Sequence, residues 1–363
     1  MSLSPKQQRN LARILPFGLI WLITSWVFLL NDLTLSRNQN LNPETDITLT
    51  IPVIIFASIA IALIGLLVGT IEMILIEQRF RNFSLSRKVL YKFGLYFFLM
   101  LSVISITYPI ASGLEQGLAP WHSSVLEKMY RFVGSVTFAN TLLQLAFSLL
   151  ISLFYAAVSE NLGHHVLFNL ISGRYHQPKV ERRIFMFLDM KDSTTLAEQL
   201  GHVRYFDLLQ AYYELMSEAI IDCRGEVYQY IGDEVVISWK EDDGFARNNC
   251  LRCFKGIKAR MQEQAAHFEQ RFGHAPDFKA GMHVGEVTTG EIGALKKEIV
   301  FTGDVLNTTA RIQALCKEQG SDLIISATIL KELSGSSELQ TRSIGELSLR
   351  GKQQLVQLYA VEE

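Results

Sequence analysis

The sequence predicts an α-helical membrane domain of four transmembrane helices, followed by an α+β domain. Two observations carry this prediction. Residues 1–158 of the 363-residue chain contain four long runs without charge, whereas residues 159–363 have the mixed composition of a soluble domain. In that second part, short apolar runs and longer helical patterns follow one another without strict βαβ alternation. This order favours helices packed against an antiparallel-rich sheet.

Four apolar segments reach the length of about 20 residues that a helix needs to cross a bilayer. They are Ile14–Leu30, Ile51–Ile76, Val89–Ala111 and Val136–Val158. The first segment has no small-residue cleavage site, and Asn31 and Asp32 follow it directly, so we expect a retained helix rather than a signal peptide. Residues 1–158 are therefore predicted to contact the lipid bilayer.

The distribution of Lys and Arg predicts how the chain is oriented in a membrane. The N-terminal tail and the second loop are rich in basic residues, and the first and third loops have fewer. The basic residues of the tail and second loop are Lys6, Arg9, Arg13, Arg79, Arg81, Arg87 and Lys88, against Arg37, Lys128 and Arg131 in the other two loops. We therefore expect a multi-pass protein of the inner or plasma membrane, with its N-terminus and its second domain in the cytoplasm.

The second apolar segment contains two features that bear on helix packing. Gly65 and Gly69 are four residues apart, a spacing that allows close approach of another helix, from the same chain or from a second one. Glu72 lies late in the same segment. We expect its side chain to reach toward the inner headgroups, with pairing across helices or sensing of a ligand as the alternatives.

The second domain is predicted from a series of short patterns. Residues 159–181 contain Gly and Pro and form a connector, and residues 182–363 form the domain itself. Strands are expected at 183–188, at 225–239 (two strands around a Gly232-Asp233 turn), at 278–284, 286–292 and 323–326, and in a closing hairpin over 346–361. Helical patterns occupy 193–201, 203–223, 244–272 and 303–319.

Two aspartates of this domain occupy special positions. Asp189 ends the first strand, and Asp233 lies in the turn of the first hairpin. Neighbouring strands bring such residues within about 5 Å of each other. Two carboxylates at that distance repel each other unless a cation joins them, and Mg²⁺ binds through one or two carboxylates plus substrate phosphates. From the pattern alone, a metal site and a pair of unrelated turn aspartates both remain open.

Four motifs of the second domain together resemble class III adenylate and guanylate cyclases. They are F-L-D-M-K-D-S-T (187–194), Y-I-G-D-E-V (230–235), G-D-V-L-N-T-T-A-R-I (303–312) and L-S-L-R-G-K (347–352). Their order and spacing are similar to those of the family from about residue 182 to residue 361. The resemblance implies a class III cyclase catalytic domain, with a palm-like sheet flanked by helices.

The resemblance also implies a reaction and a set of site residues. Asp189, Asp233 and the backbone carbonyl of Met190 would hold two Mg²⁺ or Mn²⁺ ions per active site, and the ribose 3′-hydroxyl would attack the α-phosphate. Asn307 would orient the ribose, and Arg311 would stabilise the α-phosphate. Triphosphate contacts are implied for backbone N–H groups at Ser193 and Thr194, for Lys279, and for Arg350 or Lys352, between which the sequence does not decide.

The two base-selecting positions depart from the family pattern. Gln229 stands where adenylate cyclases often have Lys, and Val300 stands where they often have Asp or Thr. Gln can donate and accept hydrogen bonds, whereas Val can do neither. We expect ATP as the substrate of a membrane-bound adenylate cyclase. A guanylate or pyrimidine nucleotide cyclase, and a membrane receptor with a degenerate nucleotide-binding domain, remain as alternatives.

The resemblance implies a homodimer, because members of this family share each active site between two subunits. One subunit supplies the metal aspartates and Lys279, and the other supplies Asn307 and Arg311. This chain carries both sets, so two copies would form two sites. The formal net charge of −2 shows no basic excess, and we therefore expect no nucleic acid partner.

Overall fold

The computed structural model describes residues 3–36, 42, 44–76, 85–162, 173–295, 297–335, 339–348 and 355–362. Residues 7–168 form one unit, and residues 1–6 with 169–363 form the other. Several positions singled out above lie outside the described residues. They are the phosphate candidates Arg350 and Lys352, the loop residues Arg37, Arg79 and Arg81, and positions 163–172 of the connector.

Within the described residues, four helices are long and apolar enough to cross a membrane, which confirms the four predicted segments. The apolar spans are Pro5–Asn31, Ile51–Ile74, Tyr91–Gln116 and Val136–Glu160. The helices of this unit are α1 (Pro5–Ser36), α2 (Ile51–Thr70), α3 (Leu85–Gln116), the short α4 (Ser123–Phe132) and α5 (Val136–Leu162). The first helix starts earlier than predicted, because its polar N-terminal turns continue the helix.

The two glycines of α2 pack this helix against α1 of the same chain. A Cβ atom at Gly65 would lie 2.8 Å from the backbone oxygen of Phe17 and 2.8 Å from the Cβ of Trp21. A Cβ atom at Gly69 would lie 2.8 Å from the ring of Phe17. The small-residue spacing therefore permits a close contact with α1 of the same chain.

Replacing Gly65 by alanine is expected to destabilise the helical unit by about 1–3 kcal/mol, because the added methyl group overpacks a backbone contact. The measurement is thermal unfolding of the full chain in detergent. Gly94→Ala in α3 is the matched control, since a Cβ atom there meets nothing within 4 Å. Equal midpoints for the two variants would contradict the close α1–α2 contact.

The prediction for Glu72 is wrong, because its side chain is buried rather than directed toward headgroups. Glu72 is 7% exposed and lies in a π-helical turn, Ile71–Ile76, that continues α2. Its carboxylate forms an ion pair with Lys92 and accepts a hydrogen bond of 2.5 Å from the Tyr96 hydroxyl, both on α3. A buried carboxylate needs such partners, so the alternative of pairing across helices is the correct one.

The second unit is built on a mixed sheet that has eight strands within the described residues. The strand order is β2-β3-β1-β4-β6-β8-β7, and β5 pairs with β4. The strands are β1 (Lys179–Met190), β2 (Glu226–Ile231), β3 (Glu234–Lys240), β4 (Phe278–Ile292), β5 (Glu298–Thr302), β6 (Leu323–Ser326), β7 (Thr341–Ser348) and β8 (Leu355–Val361). The β4–β6 pair is parallel and the other pairs are antiparallel, which confirms an α+β fold with an antiparallel-rich sheet.

Helices cover the sheet and bury its apolar side chains. They are α6 (Ser193–Asp222), α7 (Glu241–Phe245), α8 (Asn249–Glu263), α9 (Ala265–Phe272), α10 (Asp304–Gln319) and α11 (Ala327–Glu332). The main core joins Tyr212 of α6 and Ile257 of α8 to Met186 of β1 and Ile237 of β3, all of them fully buried. This core holds β1 and β3 side by side and thereby positions the chain segments at their ends.

Two predicted patterns differ from the observed elements. The expected strands 278–284 and 286–292 form the single strand β4, because Gly285 stays extended and remains paired with Arg183. The expected helical stretch 244–272 is interrupted, because Arg247 and Asn248 have φ angles of 55° and 56°. Such left-handed residues cannot continue a right-handed helix.

Several elements were predicted incompletely or not at all. The closing hairpin begins at Thr341, five residues before the predicted start at Glu346. The strand β5 and the helices α4 and α11 were not predicted.

Candidate active site

The end of β1 and the β2–β3 turn meet at one edge of the sheet. In the antiparallel β1–β3 pair, Leu188 lies opposite Val235, which places Asp189 beside the turn that contains Asp233. Gly232 forms this turn with a φ angle of 66°, a conformation that glycine adopts without strain. The structure therefore brings together the two aspartates that the sequence singled out.

The electrostatics of this edge show that the acidic groups are crowded. Burial raises the pKa of Asp233, and the neighbouring Asp189 carboxylate raises it further, against a hydrogen bond with Ser193 that lowers it. Burial, together with Asp189 and Asp233, raises the pKa of Glu234 to about 7. Three carboxyl groups in one partly buried region repel each other, and a divalent cation would relieve that repulsion.

The oxygen atoms at this edge fit a cation that binds the protein and a substrate at the same time. Within the described part of the chain, no group of three or more His, Cys, Asp or Glu side chains is arranged to hold a metal ion. The two aspartates and the backbone carbonyl of Met190 supply oxygen atoms only. Mg²⁺ characteristically binds one or two carboxylates and completes its coordination with substrate phosphates and water. The residues present therefore fit Mg²⁺ or Mn²⁺ in the company of a nucleotide.

Two donors hold the carboxylate of Asp189. Lys279, its direct partner in the β1–β4 register, places its Nζ 3.3 Å from Asp189 Oδ2. Gln313 of α10 donates a hydrogen bond of 3.1 Å from Nε2 to the same oxygen. Gln313 was not predicted from the sequence, because nothing in the local pattern relates α10 to the end of β1.

The segment that joins β1 to α6 exposes backbone donors next to Asp189. Asp192 precedes the helix with a φ angle of 54°, and Ser193 and Thr194 form its first turn. The first N–H groups of a helix have no partner inside the helix, and the helix dipole favours an anion there. This geometry suits a phosphate group, as the motif resemblance implied.

A cycle of four ion pairs anchors that same segment. Lys191 contacts Asp277 at 2.6 Å and also pairs with Asp322, whereas Lys258 contacts Asp277 at 2.6 Å and Asp322 at 2.5 Å. The aspartates directly precede β4 and β6, and Lys258 lies on α8. The cycle therefore joins three strand ends and one helix. These residues are far apart in sequence, so pattern reasoning did not find them.

The helix α10 turns the predicted catalytic pair away from the sheet. Asn307 is exposed and Arg311 is half-buried, while Thr308, Ile312 and Gln313 are buried. At about 100° per residue, Asn307 and Arg311 lie about 40° apart around the helix, and Arg311 lies about 160° from Gln313. The Asn307 and Arg311 face is therefore not the one that contacts Asp189 of the same chain.

The two candidate base-selecting residues lie on strands that an aromatic contact links. Gln229 on β2 is exposed, and Val300 on β5 is half-buried. Their chain neighbours Tyr228 and Phe301 pack with ring centroids 4.8 Å apart. The guanidinium of Arg183 lies 4.6 Å from the centroid of the Phe301 ring. These contacts hold β2 and β5 in a defined arrangement.

The contribution of Glu234 to the stability of the metal-free protein is expected to fall as the pH rises from about 4.5 to about 7. The raised pKa of Glu234 means that the folded state binds its proton more tightly than the unfolded state, so deprotonation disfavours folding. Thermal unfolding with a chelator present should therefore show Glu234→Gln as more stable than wild type at pH 8, with a smaller difference at pH 5. Glu346→Gln on the exposed part of β7 is the control. If the difference in thermal midpoint between Glu234→Gln and wild type is the same at both pH values, the proposed crowding of carboxyl groups is contradicted.

The second unit is similar to one known protein family. Residues 176–363 match the family model of the adenylate and guanylate cyclase catalytic domain. Adenylate cyclase 2 of Rhizobium meliloti (strain 1021) is 33% identical over 202 residues, which are 56% of this chain and 56% of that protein. The adenylate cyclase of Anabaena cylindrica is 24% identical over 186 residues, which are 50% of this chain and 37% of that protein. The chain thus spans less than two thirds of these relatives.

A solved structure has the same fold. The structure of a bacterial light-regulated adenylyl cyclase aligns with a TM-score of 0.54 and 20% identity. The alignment covers 63% of this chain and 66% of that one. It supports the arrangement of sheet and helices described above.

Proposed function

The chain belongs to the class III adenylate and guanylate cyclase family, and we propose that it is a membrane-bound adenylate cyclase that converts ATP to cyclic AMP and pyrophosphate. The observation that carries the proposal is the juxtaposition of Asp189, Asp233 and Lys279 at one edge of the sheet. Two carboxylates and one cationic side chain suit a metal-bound triphosphate. The names of the relatives in Rhizobium and Anabaena support cyclic AMP as the product.

Asp189, Asp233 and the backbone carbonyl of Met190 would hold two Mg²⁺ or Mn²⁺ ions per site. When bound, these ions lower the pKa of the ribose 3′-hydroxyl and neutralise charge on the phosphates. The protein contributes by fixing the two carboxylates on the ends of paired strands. Because both strands are buried in the core, the carboxylates are positioned before substrate arrives.

The chain's other residues would position the nucleotide and stabilise its charge. Asn307 orients the ribose, so that the 3′-oxygen, whose proton passes to water, forms a bond to the α-phosphorus while the bond to the pyrophosphate oxygen breaks. Arg311 stabilises the charge that develops on the α-phosphate. Lys279 and the N–H groups that open α6 hold the β- and γ-phosphates, together with Arg350 or Lys352. In-line transfer of this kind depends mainly on positioning and charge.

Each active site would form between two copies of the chain. Arg311 lies about 160° and Asn307 about 120° around α10 from Gln313, which contacts Asp189, so we expect the two sets to meet only between two chains. In a homodimer, Asn307 and Arg311 of each chain would meet the metal-binding aspartates of the other. The two-fold symmetry would then give two complete sites. We further propose that residues 1–158 anchor the dimer in the cell membrane. Residues 159–181 would connect this anchor to a cytoplasmic catalytic domain over 182–363, with the N-terminus also in the cytoplasm.

ATP is the proposed substrate although the base-selecting positions are unusual. Gln229 can donate and accept a hydrogen bond, so it is compatible with the edge of adenine. Val300 offers only apolar contact. Selection of the base would therefore depend on Gln229 and on the shape of the pocket.

The test is an assay of the purified full chain in detergent with Mn²⁺ and each of ATP, GTP, CTP and UTP. Cyclic AMP formed from ATP alone is the expected result. A different cyclic nucleotide would overturn the substrate and retain the reaction. No cyclic product from any of the four nucleotides would overturn the enzymatic function in favour of a nucleotide-binding receptor domain.

A further inference from the structure

The side chain of Gln313 contacts the proposed metal carboxylate directly. It is 6% exposed, and its amide donates to Oδ2 of Asp189 at 3.1 Å. Lys279 reaches the same oxygen at 3.3 Å. Without nucleotide, two donors on one oxygen restrict the rotation of the carboxylate and so the direction of its other oxygen, Oδ1. When Lys279 holds a phosphate, Gln313 is the donor of this pair that remains on Asp189.

The backbone around Gln313 is held rigidly against the sheet. A Cβ atom at Gly281 of β4 would lie 2.4 Å from the backbone nitrogen of Gln313, so helix and strand approach as closely as glycine permits. One turn later, the Cys316 thiol donates to the backbone oxygen of Ala280 at 3.3 Å. Ile312 is fully buried beside these contacts. The amide of Gln313 is therefore presented from a fixed point.

The helix α10 carries two functions on two faces. Its sheet-facing side presents Gln313 to Asp189 of the same chain, and its outer side presents Asn307 and Arg311. In a dimer with shared sites, these faces serve different active sites. The helix would thus orient Asp189, a proposed metal ligand of one site, and supply Asn307 and Arg311 to the other site.

We propose that Gln313 is a positioning residue that orients Asp189 for the divalent cation. Partners that hydrogen-bond a metal-binding carboxylate commonly contribute about 10- to 100-fold to metal affinity or activity. The inference rests on the proposed function, because it assumes that Asp189 binds the cation. It goes beyond that function by assigning the orientation of the ligand to a residue outside the motif pair Asn307 and Arg311.

The first test measures Mn²⁺ binding without turnover. Full-length protein is titrated with Mn²⁺ in the presence of 3′-deoxy-ATP, which lacks the attacking hydroxyl, and free Mn²⁺ is followed by electron paramagnetic resonance. Gln313→Met keeps the length of the side chain but removes the donor, and it should raise the Mn²⁺ dissociation constant about tenfold. Gln319→Met, at the last residue of α10, is the matched control and should leave the constant unchanged. Wild-type affinity in Gln313→Met would overturn the proposal.

The second test separates positioning from a general loss of structure. Mixed dimers with one intact site are made from an Asp233→Ala chain and an Arg311→Ala chain. The Arg311→Ala chain then supplies Asp189 to the intact site. At limiting Mn²⁺, Gln313→Met should reduce activity about tenfold more on that chain than on its partner. Equal losses in both placements would indicate a purely structural role and overturn the proposal.

The two tests also distinguish this inference from the proposed function. If mixed dimers without any change at Gln313 form no cyclic nucleotide, the shared active site is wrong. The Mn²⁺ titration still decides on Gln313 in that case, because it requires no turnover. Normal mixed-dimer activity with unchanged Mn²⁺ affinity in Gln313→Met would instead refute the inference alone.

Discussion

Asp233→Ala is expected to reduce cyclic nucleotide formation by about a thousandfold or more. The carboxylate lies beside Asp189 at the sheet edge, and its removal leaves one carboxylate where the proposed mechanism needs two. Loss of a group that stabilises charge in phosphoryl or acyl transfer costs factors of about 10² to 10⁵. The measurement is the rate of cyclic AMP formation at saturating Mn²⁺. Asp243→Ala, at a half-buried aspartate that pairs with Arg224, is the matched control.

This loss should occur without loss of folding. Burial and Asp189 raise the pKa of Asp233, so its charged form is disfavoured in the metal-free protein. Removing the carboxyl group should therefore leave the thermal midpoint unchanged or raise it at pH 8, measured with a chelator. If Asp233→Ala is inactive but also unfolds at a much lower temperature, its loss of activity reflects loss of folding and not the loss of a metal ligand. Residual activity within tenfold of wild type would contradict the role of Asp233.

Mixed dimers of two inactive chains are expected to recover activity. Asp233→Ala removes a proposed metal ligand from a site. Arg311→Ala removes the residue that would stabilise the α-phosphate in the site of the other chain. In a dimer of one chain of each kind, one site carries both defects and the other carries neither. Purified mixed dimers should therefore have about half of the wild-type activity, since one of two symmetric sites is intact.

The experiment requires two affinity tags, so that only dimers with one chain of each kind are assayed. Each variant alone should be inactive. A mixed dimer of two Asp233→Ala chains that carry different tags is the control, and it should remain inactive. Failure of the Asp233→Ala and Arg311→Ala pair to recover activity, with dimers present by size, would mean that each site lies within one chain.

The sequence by itself determined the architecture of this protein. Four predominantly apolar segments of membrane-spanning length required four helices, because an uninterrupted apolar helix satisfies its backbone groups inside a bilayer. In the second domain, Asp189 and Asp233 were identifiable because they interrupt or end local apolar patterns. Such features depend on composition and on short-range periodicity, which a chain carries independently of its tertiary contacts.

Only the tertiary structure decided which distant side chains meet. Gly65 and Gly69 contact α1 of the same chain, and Glu72 pairs with Lys92 on the next helix. Gln313 looked like any polar residue on a helix, yet it reaches Asp189 across 124 positions of sequence. No local pattern encodes these contacts. The Gln313 contact arises when the sheet and α10 pack at the spacing that Gly281 permits, and that packing is a property of the whole fold.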